Sequence, residues 1–312
     1  MTTTTNTPTV VLCPGQGAQH VGMGKSWFDH HPVAAQTYAA ADRALGFSVS
    51  ELCFKGPETQ LNRTDIAQAA IYTTSVACYQ AVFEAEQIGT VKATAGLSLG
   101  EFTALHIAGA FDFLDGLQLV RLRGQAMQAA AEATPSSMVA LIGADEETAN
   151  QLCEDAAKGD VLVPANFNCS GQVVISGSKA ACERSLDVAE KMGLRATQLA
   201  VAGAFHSPLM QPAADQLATA LDEVQWNTPA VTVYSNVTAR PHAIEDLASI
   251  KLRLVEQLTS PVRWSQSMEH MLASHAEDRL VELAPGKVLS GLMRRIDRKA
   301  KVENFAEAPA PA

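Results

Sequence analysis

Short apolar runs closed by glycine or proline alternate along this chain with longer segments rich in small apolar residues, the pattern of an α/β protein. Thr9-Val10-Val11-Leu12-Cys13 is the first such run. It stops at Pro14-Gly15-Gln16-Gly17 and predicts a buried strand entering a glycine-bearing loop. A buried helix is expected over 67–87, a strand over 91–96, a helix ending near Gly109, and a further helix that Asp112 caps and Pro135 closes. From Ser136 the rhythm changes. Strands at 138–143, 161–165, 172–176 and 196–201 alternate with helices at 146–157 and 179–192, giving the order β-α-β-β-α-β of a ferredoxin-like unit. The first rhythm resumes with a helix at 211–224 and strands at 231–235 and 279–283. The expected organisation is therefore a discontinuous α/β core, residues 1–135 and 202–312, with a small subdomain inserted at 136–201. No repeat of solenoid length is present.

With 312 residues, 47 % hydrophobic and 18 % charged, the chain can bury a large core. Its net charge of -10 disfavours a nucleic-acid partner, because neutralising phosphates needs a basic surface. No stretch approaches the roughly 20 uncharged apolar residues of a membrane span, and residues 1–8 lack the basic start and apolar centre of a signal peptide. The cytoplasm is the expected compartment. Six cysteines without a C-x-x-C pair read as buried or partly buried thiols in a reducing environment, neither disulfides nor metal ligands. The end, 307–312, reads as a solvated tail.

The densest chemical signal is Gly96-Leu97-Ser98-Leu99-Gly100, between the strand at 91–96 and the helical Glu101-Phe102-Thr103-Ala104-Leu105. This is a G-x-S-x-G turn, in which glycines let the chain reverse sharply and hold a serine Oγ clear of the backbone. A serine hydroxyl needs a base to take its proton. His106 lies eight residues on, about 12 Å along the helix, and cannot reach it. His20, His30 and His31 fall in an N-terminal loop-and-helix region, and His242, His270 and His275 in polar surroundings that read as solvated. His206 differs, because Val201-Ala202-Gly203-Ala204-Phe205-His206-Ser207-Pro208 is a loop leaving the small unit for the core, where active-site residues favour such junctions.

Several segments in order resemble the malonyl-CoA:acyl carrier protein transacylase family. Pro14-Gly15-Gln16-Gly17-Ala18-Gln19 is similar to its P-G-Q-G-[SA]-Q loop, and Gly96 to Phe102 to its G-x-S-L-G-E-[YF] elbow. Arg123-Gly124, Ala204-Phe205-His206-Ser207, Gln257-Leu258 with Pro261-Val262-Arg263-Trp264, and Pro285-Gly286-Lys287-Val288-Leu289 continue the likeness, which spans about Val10 to Ile296. The resemblance implies a hydrolase-like parallel-sheet core with a ferredoxin-like insertion. It implies transfer of a malonyl group from malonyl-CoA to the phosphopantetheine thiol of acyl carrier protein, in fatty-acid or polyketide synthesis, through an acyl-enzyme on Ser98. His206 would be the general base, its tautomer held by the backbone carbonyl of Gln257, so that the Gln257 side chain would matter less than its place. The N–H groups of Gln16 and Leu99 would form the oxyanion hole.

Arg123 makes the substrate concrete, since a guanidinium fork grips a carboxylate through two charge-assisted hydrogen bonds, and malonyl carries one where acetyl does not. Phe205 resembles the bulky residue of malonyl-selective members. Leu97 departs from the family, which usually has histidine there; the base is elsewhere, so the departure bears on the placement of Ser98 and on selectivity. An acidic carrier protein would dock on a local basic patch, for which Lys287, Arg294, Arg295, Arg298 and Lys299 are candidates. No cofactor or metal is implied, because neither a ligand cluster nor a dinucleotide fingerprint occurs.

Two other readings weaken on inspection. An esterase on the same elbow needs the order serine, acid, histidine, yet Asp145, Asp155 and Asp187 fall within or at the ends of the inserted unit's helices, and Asp112 and Asp115 start a helix. Gly22-Met23-Gly24-Lys25-Ser26 mimics the end of a phosphate-binding loop but has Gln19 where that loop requires glycine.

Overall fold

The computed structural model describes residues 7–309. Its larger sheet is parallel throughout and contains β1 (Thr9–Cys13), β2 (Val91–Gly96), β7 (Thr232–Tyr234), β8 (Arg279–Leu283) and β9 (Val302–Phe305), in the order β7-β2-β1-β8-β9. All five residues of β1 are buried. That is why its sequence is a continuous apolar run: a central parallel strand is covered on both faces. Val11 and Cys13 join one apolar cluster, with Tyr38, Tyr72 and Phe102, while Val10 and Leu12 join another, with Trp264, Met268 and Met293. The period-two alternation thus divides β1 between two helical layers.

The smaller sheet is antiparallel, made of β3 (Ser136–Ile142), β4 (Leu162–Cys169), β5 (Gln172–Ser178) and β6 (Arg195–Gln198) in the order β4-β5-β3-β6. Helices Glu146–Ala157 and Lys179–Lys191 cover it, their first turns capped by the Asp145 and Ser178 side chains. Val139, Leu141, Leu152 and Ile175 fill the space between.

The sequence expectations hold for most elements and miss at recognisable places. β4 runs on past 165 because Asn166 and Asn168, which look like turn residues, continue the strand. There Phe167 N–H donates to Val262 O at 2.9 Å and Val262 N–H to Ala165 O at 2.8 Å, stitching the small sheet to the segment before helix Trp264–Ser274. β6 stops at Gln198, three residues early, where the chain turns toward His206. β9 lies in a charged stretch with no apolar run to announce it. Glu307, expected in a solvated tail, is exposed, yet its carboxylate accepts from Ser26 Oγ at 2.5 Å, and Ala308 N–H donates to the same hydroxyl at 3.0 Å. Residues 310–312, and most of the stretch 1–8, lie outside the described residues.

Among the described residues no helix is long and apolar enough to cross a membrane, and the six cysteines are buried and unpaired. Glu282 on β8 is also fully buried. Its carboxylate accepts from the N–H groups of Leu289 and Ser290 at 2.8 and 2.7 Å, fixing the start of helix Val288–Ile296 against the sheet.

Candidate active site

β2 delivers the chain into a tight turn and then into helix Gly100–Ile107. The turn demands its glycines: a Cβ on Gly96 would stand 2.0 Å from Gly100 O, and one on Gly100 would stand 2.1 Å from Cys13 O. At the apex Ser98 has a φ of 53°, a left-handed conformation that costs a non-glycine residue about 1–3 kcal/mol. Asn236, just beyond β7, holds it there. The Asn236 Oδ1 accepts from Ser98 N–H at 2.6 Å while its Nδ2 donates to Gly96 O at 2.7 Å, clasping the turn on both sides of Leu97.

His206 reaches the same point from the loop after β6. Its Nε2 lies 2.9 Å from Ser98 Oγ, and its Nδ1 lies 2.7 Å from the backbone carbonyl of Gln257. A carbonyl only accepts, so Nδ1 carries the proton and Nε2 turns its lone pair to the serine. Burial, and then the nearby Arg123 charge, push the imidazole pKa down to about 4, although the Gln257 carbonyl pulls the other way. At neutral pH the ring is therefore an uncharged acceptor.

Arg123 projects from helix Phe113–Ala133 and is 1 % exposed. Gly124 lets that helix approach Thr64 closely, since a Cβ there would stand 2.7 Å from Thr64 O. The Arg123 guanidinium donates from one terminal nitrogen to Gln68 Oε1 at 2.7 Å, and from the other to Ser98 Oγ at 3.0 Å and Gln257 Oε1 at 2.8 Å. Its Nε has no partner among the described residues. Burial draws the guanidinium pKa down to about 9 while the Glu101 charge opposes the fall, so the group stays cationic at neutral pH.

The Gln257 side chain corrects one expectation. Besides holding Arg123, its Nε2 donates to Ser98 O at 3.1 Å and to Glu101 Oε2 at 2.7 Å, so side chain and main chain both build the site. His242 corrects another. It is buried, not solvated, with Nε2 2.7 Å from Glu101 Oε1. The remaining histidines stand apart: His106 packs with its Nδ1 3.0 Å from Phe111 O, His275 pairs with Asp278, and His20 and His30 are exposed. Among the described residues no aspartate meets the His206 ring, whose second nitrogen is taken by the Gln257 carbonyl.

Ser98 and His206 open on a cavity of about 410 Å³. Gln16, Leu97, Met127, Phe205 and Leu292 line it, and Asn166 enters from β4. Within the described residues, the N–H groups of Gln16 and Leu99 have no acceptor. Asn236, Glu101, His242 and Gln68 are the site-building residues that sequence reasoning missed; only Glu101 carried a signal, as a letter of the elbow motif.

The acyl transferase domain family matches residues 10–309. The malonyl CoA-acyl carrier protein transacylase of Escherichia coli (strain K12) is 42 % identical over 284 residues, 91 % of each chain. The solved malonyl CoA-acyl carrier protein transacylase of Coxiella burnetii superposes with a TM-score of 0.92 at 35 % identity, covering 96 % of this chain and 94 % of that one. A structure of a type II PKS acyl-carrier protein in complex with its malonyl-transacylase gives 0.91 at 37 % identity, covering 96 % of both chains. A buried serine within hydrogen-bond distance of a buried histidine and a buried arginine, in a chain this similar along nearly all its length, marks an acyltransferase that belongs to the malonyl CoA-acyl carrier protein transacylase family.

Proposed function

We propose that the protein transfers a malonyl group from malonyl-CoA to the phosphopantetheine thiol of acyl carrier protein by a two-step, ping-pong route. His206 Nε2 takes the Ser98 hydroxyl proton as Oγ attacks the thioester carbonyl, and the resulting oxyanion turns to the N–H groups of Leu99 and Gln16. The tetrahedral intermediate then collapses, the carbon–sulfur bond breaks, and His206 returns the proton to the departing CoA sulfur. The acyl-enzyme waits until a carrier thiol reverses the steps. A donor in the oxyanion hole is typically worth about 2.7 to 4 kcal/mol.

One observation carries the choice of substrate: a buried guanidinium stands a single hydrogen bond, 3.0 Å, from the nucleophile. An acid gripped there must lie close to the reacting carbonyl, as a malonyl carboxylate does, one methylene away. Phe205, buried beside the base and lining the cavity, would crowd an α-branch.

The carrier protein would approach along helix Val288–Ile296, whose Val288 and Leu292 line the cavity and whose neighbourhood carries the exposed Lys287, Arg294, Arg295, Arg298 and Lys299. The solved complex of a related transacylase with its carrier protein supports this partner class. The strand order β4-β5-β3-β6 supports a ferredoxin-like subdomain at 136–201 within a hydrolase-like core, 1–135 and 202–312. Reduced, buried cysteines fit a cytoplasmic enzyme of fatty-acid or polyketide synthesis.

Intact-mass measurement after incubation with a mixture of acyl-CoAs tests the reading. The wild type should gain a malonyl adduct that disappears when carrier protein is added, and Ser98→Ala should gain none. Release of free malonate faster than transfer to carrier would point to a hydrolase instead.

A further inference from the structure

Beneath the nucleophile lies a buried acid to which the proposed reaction gives no task. Glu101 is 1 % exposed, on the first turn of helix Gly100–Ile107. Its Oε1 lies 2.7 Å from His242 Nε2, and its Oε2 accepts from Gln257 Nε2 at 2.7 Å and from Asn236 N–H at 3.2 Å. A carboxylate offers only acceptors, so it decides which end of the Gln257 amide turns toward it. With the nitrogen facing Glu101 and Ser98 O, the amide oxygen is left for the Arg123 guanidinium. Reversed, the amide would set oxygen against carboxylate and N–H against N–H. His242 is itself anchored, its backbone N–H donating to Val233 O at 2.8 Å.

We propose that Glu101 and His242 form a positioning pair that locks the Gln257 side-chain amide, so that its oxygen holds Arg123 ready for the acyl carboxylate. The proposal rests on the reading of Arg123 as the carboxylate clamp. Gln257 divides its work: the main-chain carbonyl orients His206 and the side chain orients Arg123. The pair acts on the side chain. Its signature is therefore acyl selectivity more than loss of the base, which a purely structural role would not produce.

The test compares acylation of Ser98 from malonyl-CoA and from acetyl-CoA, by intact mass, in the wild type, Glu101→Gln, His242→Leu and His242→Gln. Glu101→Gln keeps the shape but lets the Gln257 amide take either orientation. It should lower the malonyl-over-acetyl preference by about tenfold or more, the effect of one charge-assisted hydrogen bond, expressed mainly as a raised KM for malonyl-CoA. His242→Leu should lower the preference less, and His242→Gln, which retains an N–H, should restore most of it. Equal losses on both acyl groups, or a preference untouched by Glu101→Gln, would overturn the pair. Should Glu101→Gln not fold, the histidine variants decide, and identical preferences in His242→Leu and His242→Gln would overturn it equally. A wild type with no malonyl preference would overturn the clamp and the pair together, whereas a wild-type preference that survives Glu101→Gln overturns the pair alone.

Discussion

Around the parallel sheet, Glu101, Arg123 and Glu282 are charged and at most 1 % exposed, and Ser98 and His206 sit at positive φ. Between residues 136 and 201, which carry the antiparallel sheet, no charged side chain is buried; the buried polar residues are Ser137, Asn166, Ser176 and Ser185. The contrast separates two tasks. Burying charge and straining backbone oppose folding; around Ser98 the molecule accepts both, as the proposed roles of Ser98, His206 and Arg123 require, whereas Glu282 holds the start of helix Val288–Ile296. The other sheet supplies ordinary apolar packing and one wall of the cavity, through Met138, Asn166 and Val174.

Removing the clamp should break this contrast most sharply. Arg123→Ala is expected to lower malonyl transfer by about 10² while affecting acetyl much less, a difference read from kcat/KM for the two thioesters. The same variant has a pH signature. His206 must be uncharged to accept the serine proton, so wild-type kcat/KM should fall as pH drops through about 4. Arg123 helps to depress that pKa, so in Arg123→Ala the acid limb should move to higher pH. An unmoved limb would mean that the two groups are not electrostatically coupled.

A smaller effect should come from the quiet region. Ile175→Val, fully buried in the antiparallel sheet, should cost about 0.5–1.5 kcal/mol in denaturant unfolding and leave the acyl preference as it was. A changed preference would show that the two sheets share the chemistry. The smallest change belongs to the border between them, where Arg295 donates to Gln172 at 3.2 Å. Charge reversal at Arg294 and Arg295 should slow transfer to carrier protein a few-fold at low salt, fading as salt screens the patch, with acylation from malonyl-CoA unaffected. Undiminished transfer at low salt would place docking elsewhere.

The fold was legible wherever burial leaves a local pattern. β1, β2 and β8 read as apolar runs, and Asp112 reads as a cap, because each depends on neighbours a few residues away. Ser98 was legible from its turn, His206 from its place in a junction loop, and Arg123 from the family likeness. What stayed hidden depends on distant partners: Glu101 and His242 are 141 positions apart, and Ser98 and Asn236 are 138. A histidine among polar residues looks solvated until the fold brings a carboxylate to it. The Gln257 side chain was discounted for the same reason, since only the assembled site shows that both its ends are engaged.

The position of β1 bears on how the protein is made. Of the described strands it is synthesised first, yet it lies between β2 and β8, and β8 belongs to residues 279–283. One edge of the nascent sheet's middle strand therefore stays open through most of synthesis, while the strands of the antiparallel sheet all fall within one stretch, 136–198. Such long-range parallel pairing is slow and exposes sticky edges, so the parallel sheet should be the late-folding part of the chain.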